Sequence, residues 1–65
     1  AKNEDLLFRL IRDSFKYKRK TIKNNLSNYD LVTVEKVLKR YGYGLSVRAE
    51  QLPIEIFVEI SDELS

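Results

Sequence analysis

The sequence predicts an all-α fold, a small bundle of about four short helices forming one domain over residues 1–65. Three observations predict it. Apolar residues recur at i, i+3, i+4 and i+7 in separate windows. No glycine or proline interrupts the chain before Gly42. Residues suited to helix starts and stops stand beside those windows.

Asn3-Glu4-Asp5 opens the first helix, because Asn is a good N-cap and acids in the first turn suit the positive end of the helix dipole. Leu7, Leu10, Ile11 and Ser14, flanked by Phe8 and Phe15, keep helical spacing, so a helix is predicted over residues 4–15. The apolar stripe then lapses: Lys18 stands where the next apolar residue belongs, and Ile22 is the first to follow. A bend is expected near residues 16–19, then a short second helix over 18–27. Ser27-Asn28-Tyr29-Asp30 is a turn, and either Asn28 or Asp30 could cap the third helix. That helix is predicted over residues 30–41 from Leu31, Val34, Val37, Leu38 and Tyr41, with Lys39 and Arg40 in its last turn and Gly42 as its stop. Residues 53–64 fit two templates. Ile54, Ile56, Val58 and Ile60 alternate as in a strand, whereas Ile54, Phe57, Val58, Ser61 and Leu64 fit a helix. A lone strand among helices has no partner, so a fourth helix is favoured, and Pro53 just ahead of it fits because proline is tolerated at a helix start.

Composition narrows the function. A chain of 65 residues buries only about 60% of the surface its unfolded form exposes, which leaves little room for a catalytic cleft. There is no cysteine, hence no disulfide and no thiolate, and no histidine, the commonest general base and metal ligand. No apolar run approaches the roughly 20 residues that span a bilayer, and no signal-peptide pattern opens the chain. A domain in a reducing compartment, without a membrane segment and without chemistry of its own, is expected.

The net charge of +2 conceals an uneven distribution. Residues 9–23 hold seven cations against Asp13, a net +6, while residues 50–65 hold five acids and no base. If the first two helices ran as one, Arg9, Arg12, Lys16, Arg19 and Lys23 would share one stripe, at spacings of three and four. Aligned cations suit a phosphate backbone, where each neutralised phosphate releases condensed counterion whatever the base sequence. Tyr17, Asn24, Asn25 and Tyr29 add stacking and hydrogen-bonding groups of the kind that meet unpaired RNA bases. The competing readings are a merely solvated face or an acidic protein partner. Glu55, Glu59, Asp62 and Glu63 read as the outer face of the last helix.

Two separated motifs carry a resemblance. The run Phe15-Lys16-Tyr17-Lys18-Arg19-Lys20-Thr21-Ile22-Lys23-Asn24-Asn25-Leu26, followed at the right distance by Arg48-Ala49-Glu50-Gln51-Leu52, Phe57 and Ile60, resembles the C-terminal domain of the bacterial small-subunit ribosomal RNA adenine dimethyltransferases. The match covers residues 8–64. It implies a cytoplasmic parent enzyme that transfers methyl groups from S-adenosylmethionine to N6 of two adjacent adenines of 16S rRNA during small-subunit biogenesis. It also implies that a Rossmann-like domain, absent here, holds the methyl donor and the target base. The Gly-rich loop and the Asn-Leu/Ile-Pro-Tyr motif of that domain do not occur in this chain. The implied role is that of a helical appendage that needs no cofactor and docks a monomeric enzyme on the pre-30S particle.

Under that resemblance Arg19, Lys20 and Lys23 are candidate phosphate contacts, with Lys16 and Arg12 extending the track. Asn25 is a candidate RNA contact or a side chain that closes the second helix, and Thr21 a helix-start or packing residue. Arg48 and Glu50 are expected to brace the loop before the last helix through a salt bridge or cap. Phe8, Phe15, Leu38, Leu52 and Phe57 are expected in the core. Ile56, where a polar residue is common, is expected to be exposed or to face the missing domain, and Pro53 departs from the pattern too. The rival functions are a module that packs on its own catalytic domain without touching RNA, and a DNA-binding helical module.

Overall fold

The computed structural model describes residues 3–65, and it is an all-α bundle. Its elements are α1 (Glu4–Ser14), α2 (Ile22–Asn25), α3 (Leu31–Arg40) and α4 (Ile54–Leu64), with a single 3₁₀ turn at Ala49–Gln51. Helix α4 lies at the centre and packs on both α1 and α3, while α2 packs on α1.

The caps follow the sequence. The Asn3 side chain accepts from the Leu6 amide at 3.0 Å. Asp30, not Asn28, caps α3, accepting from the Val32 amide at 3.2 Å and from the Thr33 hydroxyl at 2.9 Å. At the other end of α3, Gly42 takes φ +82°, which an L side chain rarely adopts. Its amide donates to the Lys39 carbonyl at 3.2 Å and the Tyr43 amide to the Leu38 carbonyl at 2.9 Å, so a Schellman turn closes the helix.

The second helix is much shorter than the predicted span 18–27. Among Lys16, Lys18, Arg19 and Lys20, like charges would fall three and four residues apart on a helix and repel. No buried residue between Ser14 and Ile22 offsets that cost. Residues 15–21 therefore form a turn-rich loop, and helix resumes only where Ile22 and Leu26, both fully buried, anchor it to the core. The first two free amides of α2 are satisfied by distant carbonyls, Ile22 to Val47 at 2.8 Å and Lys23 to Leu45 at 3.1 Å.

In α4 the buried face is Ile56, Phe57, Ile60 and Ser61. Ile56 is 0% exposed, contrary to the expectation that it stands outside, and Ile54 is the residue left out. The reason is geometric: α4 is clasped by two helices, so its apolar face must serve both, and Ile56 completes the width that Ile54 does not. Pro53 stands just ahead of the helix, as expected, and is its cap residue. Leu38, Leu52 and Phe57 lie in the core as expected, whereas Phe8 is 66% exposed and Phe15 44%. Phe8 follows the buried stripe by one residue, which turns it off the packed side of α1. Phe15 lies past the end of that helix, with its ring 6.0 Å from Phe57.

Candidate nucleic-acid interface

The loop between α1 and α2 gathers the cations. Arg12 stands in the last turn of α1, Lys16, Lys18, Arg19 and Lys20 on the loop, and Lys23 on α2, all exposed. The stripe imagined on one continuous helix is thus broken in two, and its densest part is carried by non-helical chain. Arg12 reaches Asp13 at 3.4 Å. Lys16 lies over the Tyr17 ring, 5.5 Å from its centroid. Lys16, Lys18, Arg19, Lys20 and Lys23 form no ion pair among the described residues.

A loop of like charges needs external bracing, and Asn25 supplies it. Its amide nitrogen donates to the Ser14 carbonyl at 2.8 Å and to the Tyr17 carbonyl at 3.1 Å. These bonds tie α2 to the end of α1 and to the first half of the loop. The amide group that the sequence offers as an RNA contact is therefore committed to the protein's own backbone. Its Oδ1 is buried without a hydrogen-bond partner. A second tie runs from Tyr29, whose hydroxyl donates to Asp13 at 2.6 Å. Burial first, and the hydrogen bond to Asp13 second, push the Tyr29 hydroxyl up to about 12. The same bond, helped by Arg12, holds the Asp13 carboxyl below its ordinary value.

The second motif faces this loop. Arg48 and Glu50 are exposed and make no ion pair among the described residues, so the expected salt bridge is not formed. The cap is present but comes from a residue that pattern reading passed over. The Arg48 amide donates to Gln51 Oε1 at 2.9 Å, and the Gln51 amide returns to the Arg48 carbonyl at 3.0 Å. Ala49 and Leu52 plug the core beneath. Between loop and motif lies a cavity of about 240 Å³, with Phe15, Tyr17, Lys18, Lys20, Ala49 and Glu50 in its wall and Ser14 at its base.

The acidic tail does not neutralise this region. Arg40 on α3 pairs with Glu59 and, at 3.2 Å, with Glu63. The Tyr41 hydroxyl also donates to Glu59. That bond, with Arg40 adding to it, lowers the Glu59 carboxyl from its ordinary value. Among the described residues no cluster of acids could hold a metal ion, and no helix is long and apolar enough to cross a membrane.

No family model matches the chain. Three curated relatives, each named ribosomal RNA small subunit methyltransferase A, match nearly all of it. The protein of Lachnoclostridium phytofermentans is 38% identical over 67 residues, 95% of this chain and 23% of the relative. That of Syntrophus aciditrophicus is 36% identical over 70 residues, 100% of this chain and 25% of the relative. That of Pseudomonas syringae is 35% identical over 65 residues, 100% and 23%. The chain spans about a quarter of the length of these relatives. The identity at this coverage shows that the chain is homologous to one segment of the ribosomal RNA small subunit methyltransferase A family.

Proposed function

We propose that this chain is the C-terminal RNA-docking domain of an S-adenosylmethionine-dependent adenine N6,N6-dimethyltransferase of small-subunit ribosomal RNA. The parent is read as a monomeric cytoplasmic enzyme acting on the pre-30S particle. Its methyl donor and target base belong to the part of the relatives that this chain does not span. The segment contributes electrostatic positioning and no bond chemistry. The observation that carries the reading is the cluster of five exposed cations, from Lys16 to Lys23, none of which closes an ion pair among the described residues. Arg19, Lys20 and Lys23 would contact phosphates, and Lys16 and Arg12 would extend the track. Asn25 acts by holding the loop that presents them.

For about four phosphate contacts, log K for a structured fragment of small-subunit RNA should fall against log salt with a slope of roughly −3. The double variant Arg19→Glu/Lys20→Glu should abolish binding at physiological salt. Unchanged affinity in that variant would remove the basic loop from the interface. A competition between duplex DNA and an RNA hairpin tests the DNA-binding alternative.

A packing module remains the second reading, because Phe8, Val32 and Ile54 are large apolar side chains left exposed. Ile56, being buried, no longer speaks for it. If packing alone is the role, the intact enzyme would bind RNA no better than its catalytic domain does.

A further inference from the structure

We infer that the cavity between the basic loop and the Arg48–Leu52 motif receives one unstacked RNA base, with a preference for bases that carry an amino group. The inference rests on the RNA-docking reading and adds to it a site for a base beside the phosphate contacts.

Four observations support it. The first is size: about 240 Å³ is below the ~300 Å³ at which pockets for drug-sized ligands begin, and suits a single planar ring system. The second is the wall. Phe15 and Tyr17, residues 44% and 54% exposed, contribute aromatic rings, and exposed rings are the surfaces on which single-stranded bases stack. The third is charge. Lys18 and Lys20 share the cavity wall with Glu50, yet none of the three closes an ion pair among the described residues. Two ammonium groups and one carboxylate thus remain available to a ligand that has both phosphate oxygens and N–H donors, as a nucleotide does. The fourth is rigidity. The loop wall is held by the Asn25 bonds to Ser14 and Tyr17, and the opposite wall by the Gln51 cap and by buried Ala49 and Leu52. Neither wall needs to be ordered by the base, so less entropy is lost on binding.

Glu50 gives the site its preference. A carboxylate only accepts hydrogen bonds, so it favours the amino groups of cytosine, adenine and guanine. Uracil offers one ring N–H flanked by two carbonyls, which the carboxylate repels. The phosphates on either side of the base would lie toward Lys18 and Lys20, continuous with Arg19 and Lys23.

The test uses the 65-residue chain and one RNA hairpin with a single bulged position, made with A, C, U or an abasic residue. The A and C hairpins should bind about tenfold more tightly than the abasic one, the size of one base–aromatic stack, with U between them. Tyr17→Ala should bring A and C down to the abasic level while leaving the abasic affinity as it was, and Tyr17→Phe should restore the difference. Glu50→Gln should shrink the ratio of A or C to U, whatever it does to absolute affinity. With 2-aminopurine at the bulge, binding should quench its fluorescence in the wild-type chain and not in Tyr17→Ala. Equal affinity for all four hairpins, or a Tyr17→Ala loss shared equally by all four, would overturn the base site. Arg19→Glu/Lys23→Glu serves as the separate arm. If it weakens all four hairpins alike, the docking face stands even where the base site fails. If it leaves them unchanged, the docking reading fails first.

Discussion

Two regions of this small bundle are crowded with charge, and they use it in opposite ways. On the α3–α4 side, Arg40, Tyr41, Glu59 and Glu63 cancel one another through ion pairs and a phenol–carboxylate bond. On the α1–α2 side, four cations on the loop and Lys23 on α2 form no ion pair among the described residues. The first cluster joins the end of α3 to α4 across 18 to 23 residues of sequence. The second is left with its field open to solvent, and mutual repulsion is tolerated because Asn25 and the Val47 and Leu45 carbonyls hold the chain from behind. Opposite charges that meet across an interface serve the fold, while like charges held apart by neutral bonds are available to a partner.

The comparison breaks most visibly at the loop. Arg19→Glu/Lys20→Glu should remove RNA binding by at least about a hundredfold at physiological salt, with the melting temperature unchanged or raised, because two repulsive charges are relieved. Gel shift and calorimetry read the two quantities separately. Next is Asn25→Ala. Two hydrogen bonds disappear and the Ser14 and Tyr17 carbonyls lose a donor, so stability should fall by about 2 kcal/mol in a denaturant titration. RNA affinity should fall with it, although no charge has changed. Loss of stability with full affinity would mean that the loop holds its shape without Asn25.

A smaller effect is expected at Tyr29→Phe, which removes the bond to Asp13 and should cost about 1 kcal/mol at neutral pH. The pH dependence carries the signature. Because the folded state holds the Tyr29 proton up to about 12, its contribution is full below the ordinary value of 10.0 and is lost as pH rises from there through about 12. The variant should lack that part of the alkaline loss. The smallest shift belongs to Glu59→Gln on the other side. The lowered Glu59 carboxyl contributes fully above its ordinary value of 4.5 and ceases to do so as pH falls through the lower folded-state value. Glu59→Gln should flatten acid unfolding slightly and leave RNA affinity unchanged. A change in RNA affinity would show that the two charged regions are coupled, and the contrast between them would lose its meaning.

The legible parts of the fold are those governed by neighbours in sequence. Asn3 and Asp30 act within their own first turns, and Gly42 acts through its own φ. The Leu7–Ser14 and Leu31–Leu38 stripes are each set by a helix with one main packing side. Helix α4 is read less well, because it packs on two helices and its buried face is wider than one stripe, which turned Ile56 inward. In the site, the exposed cations are visible as composition, but their support is not. Asn25 reaches 11 residues back to Ser14, and Tyr29 reaches 16 back to Asp13. No periodicity reports such distances. The Gln51 cap did have a local signal, a Gln three residues after the cap position Arg48, and only the absence of a Ser or Thr there hid it.

By itself, the sequence determined the helical class, the principal caps, the boundaries of α1, α3 and α4 to within a residue or so, and the presence of a basic segment ahead of an acidic tail. These depend on residue type and short spacing, which any stretch of chain expresses locally. Only the tertiary structure decided that the tail pairs with Arg40 rather than with the loop, that Phe15 remains half open above Phe57, and that Glu50 shares a cavity with Lys18 and Lys20. Those outcomes depend on which helix faces meet, and such meetings are set by packing the whole core at once.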